Sequence, residues 1–176
     1  MKKLFLLTAL VLACTISKAQ VPVDPDTKLI TYQEVVNQEG STKDSIYIRG
    51  IAWVNSYFKN PQGVTTIRDR ENGIILGQHR VRMVDTDADG NVLNSNTIVE
   101  FTFKIEAKEG RYRYTINDFE MKATSRFPLE RWLNKDDPQY TPKCDEYLAQ
   151  VDTHIREMIA DLKKGMEPKK VKVDEW

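Results

Sequence analysis

Residues 97–116 read Thr-Ile-Val-Glu-Phe-Thr-Phe-Lys-Ile-Glu-Ala-Lys-Glu-Gly-Arg-Tyr-Arg-Tyr-Thr-Ile. Val99, Phe101, Phe103, Ile105 and Ala107 alternate with Glu100, Thr102, Lys104 and Glu106, and after Glu109-Gly110 the pattern resumes with Tyr112, Tyr114 and Ile116 against Arg111, Arg113 and Thr115. A period of two with one apolar phase describes an antiparallel hairpin, one face in a core and the other in water. A two-residue loop at Glu109-Gly110 sets the register: Ala107 opposite Tyr112, Ile105 opposite Tyr114, Phe103 opposite Ile116, and Glu106 opposite Arg113 on the wet face. Each pair is chemically compatible and contributes roughly 0.2–1 kcal/mol. Beyond the hairpin the alternation slips, since Phe119 and Met121 fall on the other phase. A bulge near Asn117-Asp118 would restore it.

Upstream, Ile74 to Val84 reads as a strand with Gly77, His79, Val81 and Met83 on one face. Glu71-Asn72-Gly73 is a hairpin signal that joins it to a strand over Val64 to Arg70. Residues 85–96 read as a long polar loop. Leu29 to Asn37, rich in Ile, Tyr, Thr and Val, reads as the first strand. Between these strands, Ser41-Thr42-Lys43-Asp44 has the hydroxyls and acid of a helix start. The helix is expected to run to about Asn60, with Tyr47, Ile51, Val54 and Phe58 toward the sheet and Asn60-Pro61-Gln62-Gly63 as its stop. Thr141-Pro142 opens a second helix, striped by Leu148, Val151, Ile155, Met158, Ile159 and Leu162. The order β-α-β-β-β-β-α predicts an α+β domain, an antiparallel sheet of about five strands with two helices packed on one face.

The ends read differently from the middle. Lys2 and Lys3, the apolar run Leu4 to Ile16 and the small residue Ala19 describe a secretory signal peptide cleaved after Ala19. Leu12-Ala13-Cys14 also resembles a lipobox, with Cys14 as the lipidated residue. The division expected is a signal peptide over 1–19, an extended lead-in over 20–28, one domain over 29–165 and a charged tail over 166–176. Loss of Lys2, Lys3 and Lys18 leaves 23 basic against 26 acidic residues, a net charge of −3. That balance gives no electrostatic footprint for nucleic acid. No run after the signal peptide is long and apolar enough to span a membrane. Cys144 would be the lone thiol of the processed chain, so no intrachain disulfide is expected, and it reads as a small buried hydrophobe.

Several of these stretches together resemble a family of exported bacterial proteins of unknown function with a TBP-like fold. They are Asp24-Pro25-Asp26 with Ile30-Thr31-Tyr32, the helix around Trp53, Gly73-Ile74-Ile75-Leu76-Gly77, and Lys108-Glu109-Gly110-Arg111-Tyr112-Arg113-Tyr114. The resemblance covers roughly residues 24–120 and implies the periplasm or envelope of a Gram-negative bacterium. It implies no active-site residues.

Chemistry is sparse. Asp85, Asp87 and Asp89 followed by Gly90 match the opening of a calcium loop, whose twelfth position should be glutamate and here is Asn96. The competing reading is an acidic hairpin loop turning at Asp89-Gly90. His79 and His154 lie on apolar phases and read as core histidines. No nucleophile elbow, phosphate loop or paired metal-ligand motif is present, and Asp136-Asp137 and Ser125 lack a recognisable partner. The reading is therefore not an enzyme and holds no cofactor beyond a weak calcium alternative. The irregular stretch 123–141 carries Arg126, Phe127, Trp132 and Tyr140, residue types favoured at binding hot spots. Those aromatics would serve either to seal the end of the core or to bind an envelope protein or polymer.

Overall fold

The computed structural model describes residues 21–168 apart from Ala88, Gly90 and Thr124. The expected signal peptide, Cys14 and the part of the expected 166–176 tail beyond Pro168 lie outside these described residues; Met166, at the start of that tail, is fully buried. Six strands form one antiparallel sheet: β1 (Tyr32–Asn37), β2 (Thr65–Asp69), β3 (Ile74–Thr86), β4 (Val92–Lys108), β5 (Arg111–Met121) and β6 (Phe127–Pro128). The order across the sheet is β1-β5-β4-β3-β2, and β6 pairs with β5 beyond β1. The helices are α1 (Lys43–Tyr57), α2 (Pro61–Val64) and α3 (Pro142–Gly165), with a 3-10 turn at Leu129–Leu133.

The central hairpin pairs as its alternation requires. Ala107 faces Tyr112, Ile105 faces Tyr114, Phe103 faces Ile116 and Glu106 faces Arg113. Gly110 takes φ +68°, a conformation without steric cost only for glycine. The bulge is real: the register shifts between Glu100 and Thr102, and Asp118 takes φ +53°. Phe119 is thereby turned back into the core.

Val99, Phe101, Phe103, Ile105 and Ala107 of β4 meet Tyr112, Tyr114, Ile116 and Phe119 of β5 beneath α1 and α3. Fully burying each large apolar side chain contributes about 1.5–3 kcal/mol. The ring of Phe103 crosses β3 at Gly77, where an added Cβ would stand 2.5 Å from the ring and 2.7 Å from the Val64 carbonyl oxygen. Trp53 of α1 donates from Nε1 to Asp161 of α3 at 2.9 Å, tying the helices together. Arg49 donates to the Met166 carbonyl at 2.9 Å and to Gln38 at 2.7 Å, holding the end of α3 against the end of β1. Asp152, fully buried, accepts from the Tyr32 hydroxyl at 2.8 Å and from Arg156 at 2.8 Å. Burial first, and the bond to Asp152 second, hold the Tyr32 phenol well above its ordinary range. No described helix is long and apolar enough to cross a membrane.

Four expectations need correction. The sheet has six strands, because Phe127–Pro128 adds a short one. Residues 85–96 are mostly strand: β3 continues to Thr86 and β4 begins at Val92. The first helix ends at Tyr57, and Asn60-Pro61-Gln62-Gly63 starts the separate helix α2, with the Asn60 side chain accepting from the Gly63 amide at 3.1 Å. A side-chain cap and a proline at the first position begin a helix as readily as they follow one. The first strand starts at Tyr32, since Ile30 instead bridges Val23 in the lead-in.

Candidate functional site

The chain leaves β5 at Met121, returns along its edge as β6, and winds through the 3-10 turn before α3 begins. Polar contacts clamp this path. Arg131 donates two bonds to Asp137, at 2.9 and 3.1 Å, and its guanidinium lies 4.7 Å from the Phe127 ring centre. Glu130 accepts from the Ile30 amide at 2.8 Å, fixing the lead-in to the same cap. At the helix start, the Thr141 amide donates to the Cys144 sulfur at 3.4 Å. Cys144 thus occupies the third helical position, where a capping box usually has glutamate or glutamine.

Between this segment, the end of β5 and the first turn of α3 lies a cleft of about 460 Å³. Its walls are apolar: Met121, Phe127, Trp132, Cys144 and Tyr147. Trp132 stands between Phe127 and Tyr147, with ring centres 6.2 and 5.8 Å apart. Ser125, Gln139 and Lys143 rim it.

The structure brings together two of the four residues expected at a binding surface. Phe127 and Trp132 meet in the cleft wall but are 8% and 4% exposed, so they seal the end of the core as well as lining a recess. Arg126 is exposed and directed to Glu120. Tyr140 is half-buried, packs against the core and donates to Asp145 at 2.9 Å, without lining the cleft. Sequence reasoning missed Tyr147 and Met121. Tyr147 directly precedes the Leu148 stripe and lies one turn after Cys144, which is the signal that could have found it.

The three aspartates go separate ways. Asp85 takes 2.8 Å and 3.0 Å contacts from the Tyr147 hydroxyl and the Lys143 ammonium of α3. The Lys143 bond, then the Tyr147 bond, lowers the Asp85 pKa. Ser95, buried in β4, lies 2.8 Å from the same Tyr147 oxygen. Asp87 accepts from the backbone amides of Asp89 and Asn91 at 3.0 and 2.8 Å, organising the turn itself. Asp89 is exposed. Among the described residues no group of three or more His, Cys, Asp or Glu side chains is placed to hold a metal ion. His79 and His154 both pack against Phe101, at 5.9 and 6.4 Å between ring centres. Burial lowers both pKa values, and His154 lowers that of His79 further. The Nε2 of His154 is buried without a hydrogen-bond partner among the described residues.

Two solved structures are similar to the chain, each at TM-score 0.65 and 15% identity. One is a TBP-like protein from Parabacteroides distasonis ATCC 8503, covering 83% of this chain and 96% of its own. The other is a DUF4468 family protein from Bacteroides ovatus ATCC 8483, covering 86% of this chain and 93% of its own. At that identity they speak for the fold alone. No curated protein matches the chain significantly. The profile of the family described as a domain of unknown function (DUF4468) with TBP-like fold matches residues 32–122, from β1 through β5. The chain therefore belongs to the DUF4468 family, and its sheet and helices are that family's TBP-like fold.

Proposed function

We propose that this chain is an exported binding module of the cell envelope, engaging a protein or polymer through the cleft roofed by residues 123–141. The observation that carries the reading is the apolar recess beside Trp132, open at a rim of Ser125, Gln139 and Lys143. Ligand sites combine this kind of apolar wall with a few polar groups at the mouth. Binding is preferred over catalysis because the titratable groups nearby are engaged in holding the fold. Lys143 pairs with Asp85 and Glu146, and Arg131 pairs with Asp137. The Asp85 carboxylate is engaged by Lys143 and Tyr147 of α3, and that of Asp87 by the Asp89 and Asn91 amides, which favours the cleft over a calcium loop as the binding site. Export rests on the N-terminal Lys2-Lys3, apolar and Ala19 pattern.

The test is in-cell crosslinking of the tagged protein in a Gram-negative envelope, with a photoreactive side chain at the exposed Gln139. A Ser125→Trp variant, which fills the cleft from an exposed position, should abolish the dominant crosslink while leaving the melting temperature unchanged. A crosslink that persists with Ser125→Trp would exclude the cleft. An N-terminus mapped inside the processed protein at Gln20 would support signal cleavage, and one at a lipidated Cys14 would replace it with membrane anchoring.

A further inference from the structure

The two edges of the sheet are not alike. On β2 the register is broken by a bulge between Thr65 and Ile67, and the Thr66 hydroxyl already takes the Leu76 carbonyl at 3.2 Å. Such irregularities blunt an edge. On β1 the six residues are regular, contain no proline or lysine, and leave Val35 52% exposed. The Gln38 amide donates to the Gly110 carbonyl at 2.8 Å, and the register pairs Val36 with Tyr112, Glu34 with Tyr114 and Tyr32 with Ile116. Backbone groups in an antiparallel strand alternate in direction, so Tyr32, Glu34 and Val36 bond toward β5. Gln33, Val35 and Asn37 therefore direct their amides and carbonyls outward, and among the described residues nothing pairs with them. Beside this edge, between Glu34 of β1 and Ile159, Ala160 and Lys163 of α3, runs a groove of about 430 Å³.

We propose that β1 pairs antiparallel with β1 of a second copy of this chain, across a two-fold axis through Val35. Of the possible two-fold axes, this one pairs all three outward residues with one another, whereas an axis through Glu34 would set that carboxylate against its own copy. Val35 then lies opposite the partner's Val35, and Gln33 opposite the partner's Asn37. Three hydrogen-bonded pairs give about six backbone bonds. The side chains match as well. On the wet face two valines meet at the axis, flanked on each side by a glutamine–asparagine pair that can exchange amide bonds. On the helix face Glu34 lies opposite the partner's Val36, so the only charged side chain of the strand never meets its own copy. An edge that is self-complementary in hydrogen bonds and charge fits an isologous dimer, and the two sheets become one.

The N–H of Val35 points away from β5, so proline there leaves the ladder to β5 intact. Sedimentation equilibrium of the chain as recovered from the producing cell should give a concentration-dependent dimer. Val35→Pro should weaken it about ten- to a hundredfold, since it removes two central bonds, with an unchanged circular dichroism spectrum. Where Val35→Pro melts early, Val35→Lys carries the test by stacking two charges at the axis, and it should likewise give a monomer. A wild-type monomer at every concentration overturns the proposal. So does a dimer that survives Val35→Lys, and so does a monomer whose β1 edge is taken up by a different protein.

Discussion

Strand β4 serves two hairpins, and its two ends are held by different forces. From Val99 to Ala107 its inward side chains are at most 2% exposed, packed beneath the helices against β5. From Val92 to Asn94 it pairs with Val84–Thr86 beyond the core, where Val92 is 69% and Leu93 50% exposed. Directed polar contacts anchor that outer end. Gln150 of α3 takes both backbone groups of Val84, donating to its carbonyl and accepting from its amide, each at 2.9 Å. Apolar burial makes an end stable without specifying much chemistry, whereas hydrogen bonds position an end that burial cannot hold. The outer hairpin is accordingly the part of the sheet that can loosen without unfolding the rest.

The largest test of that contrast is a pair of truncations on one strand. Phe103→Ala removes a ring packed on Trp53, Phe58 and Gly77, and should lower unfolding free energy by about 3–5 kcal/mol. Leu93→Ala, on the exposed end, should change it by no more than about 0.5 kcal/mol. Urea denaturation measures both, and similar losses would erase the distinction.

Gln150→Leu comes next. It keeps the helix and takes away both bonds to Val84, so the expected global cost is about 1 kcal/mol. Its signature is local: amide exchange should accelerate in the described residues of 84–94 and stay unchanged at 101–107. Uniform acceleration would mean that the hairpin and the core open together.

The same contrast explains what could be read from the sequence. Alternation is visible only where one face is buried and the other is wet, which holds from Val99 to Ile116 and gave register and turn together. Around Val84 and Val92 both faces meet water, the side chains no longer alternate, and a ladder looks like a polar loop. Spacing along the acidic run does not reveal direction: Asp85 turns toward α3, while Asp87 accepts from the amides of Asp89 and Asn91. In the cap, composition identified Phe127 and Trp132 but could not distinguish a lining from a seal, since a buried aromatic serves as both. Trp132→Ala would consequently test stability before it tested binding. Tyr147 escaped because its partners, Asp85 and Ser95, lie 62 and 52 residues away.

Acid should separate the two ends with the smallest effect and the clearest order. His79 and His154 pack against Phe101 at the core end, and burial holds both pKa values below the ordinary 6.5. The unfolded chain therefore binds protons first, so stability is intact above about 6.5 and declines as pH falls through the folded values. Asp85 at the outer end is lowered from 3.8 by Lys143 and Tyr147. Its contribution is present above 3.8 and disappears only as pH falls through its still lower folded value. Denaturation followed from neutral pH downward should thus show the histidine loss first, while the Asp85 contact to α3 persists. His154→Leu removes the buried Nε2 that has no described partner, and should flatten the first decline without touching the second. An unchanged slope in that variant would mean that protonation at the core end is accommodated by water, and that β4 is equally wet at both ends.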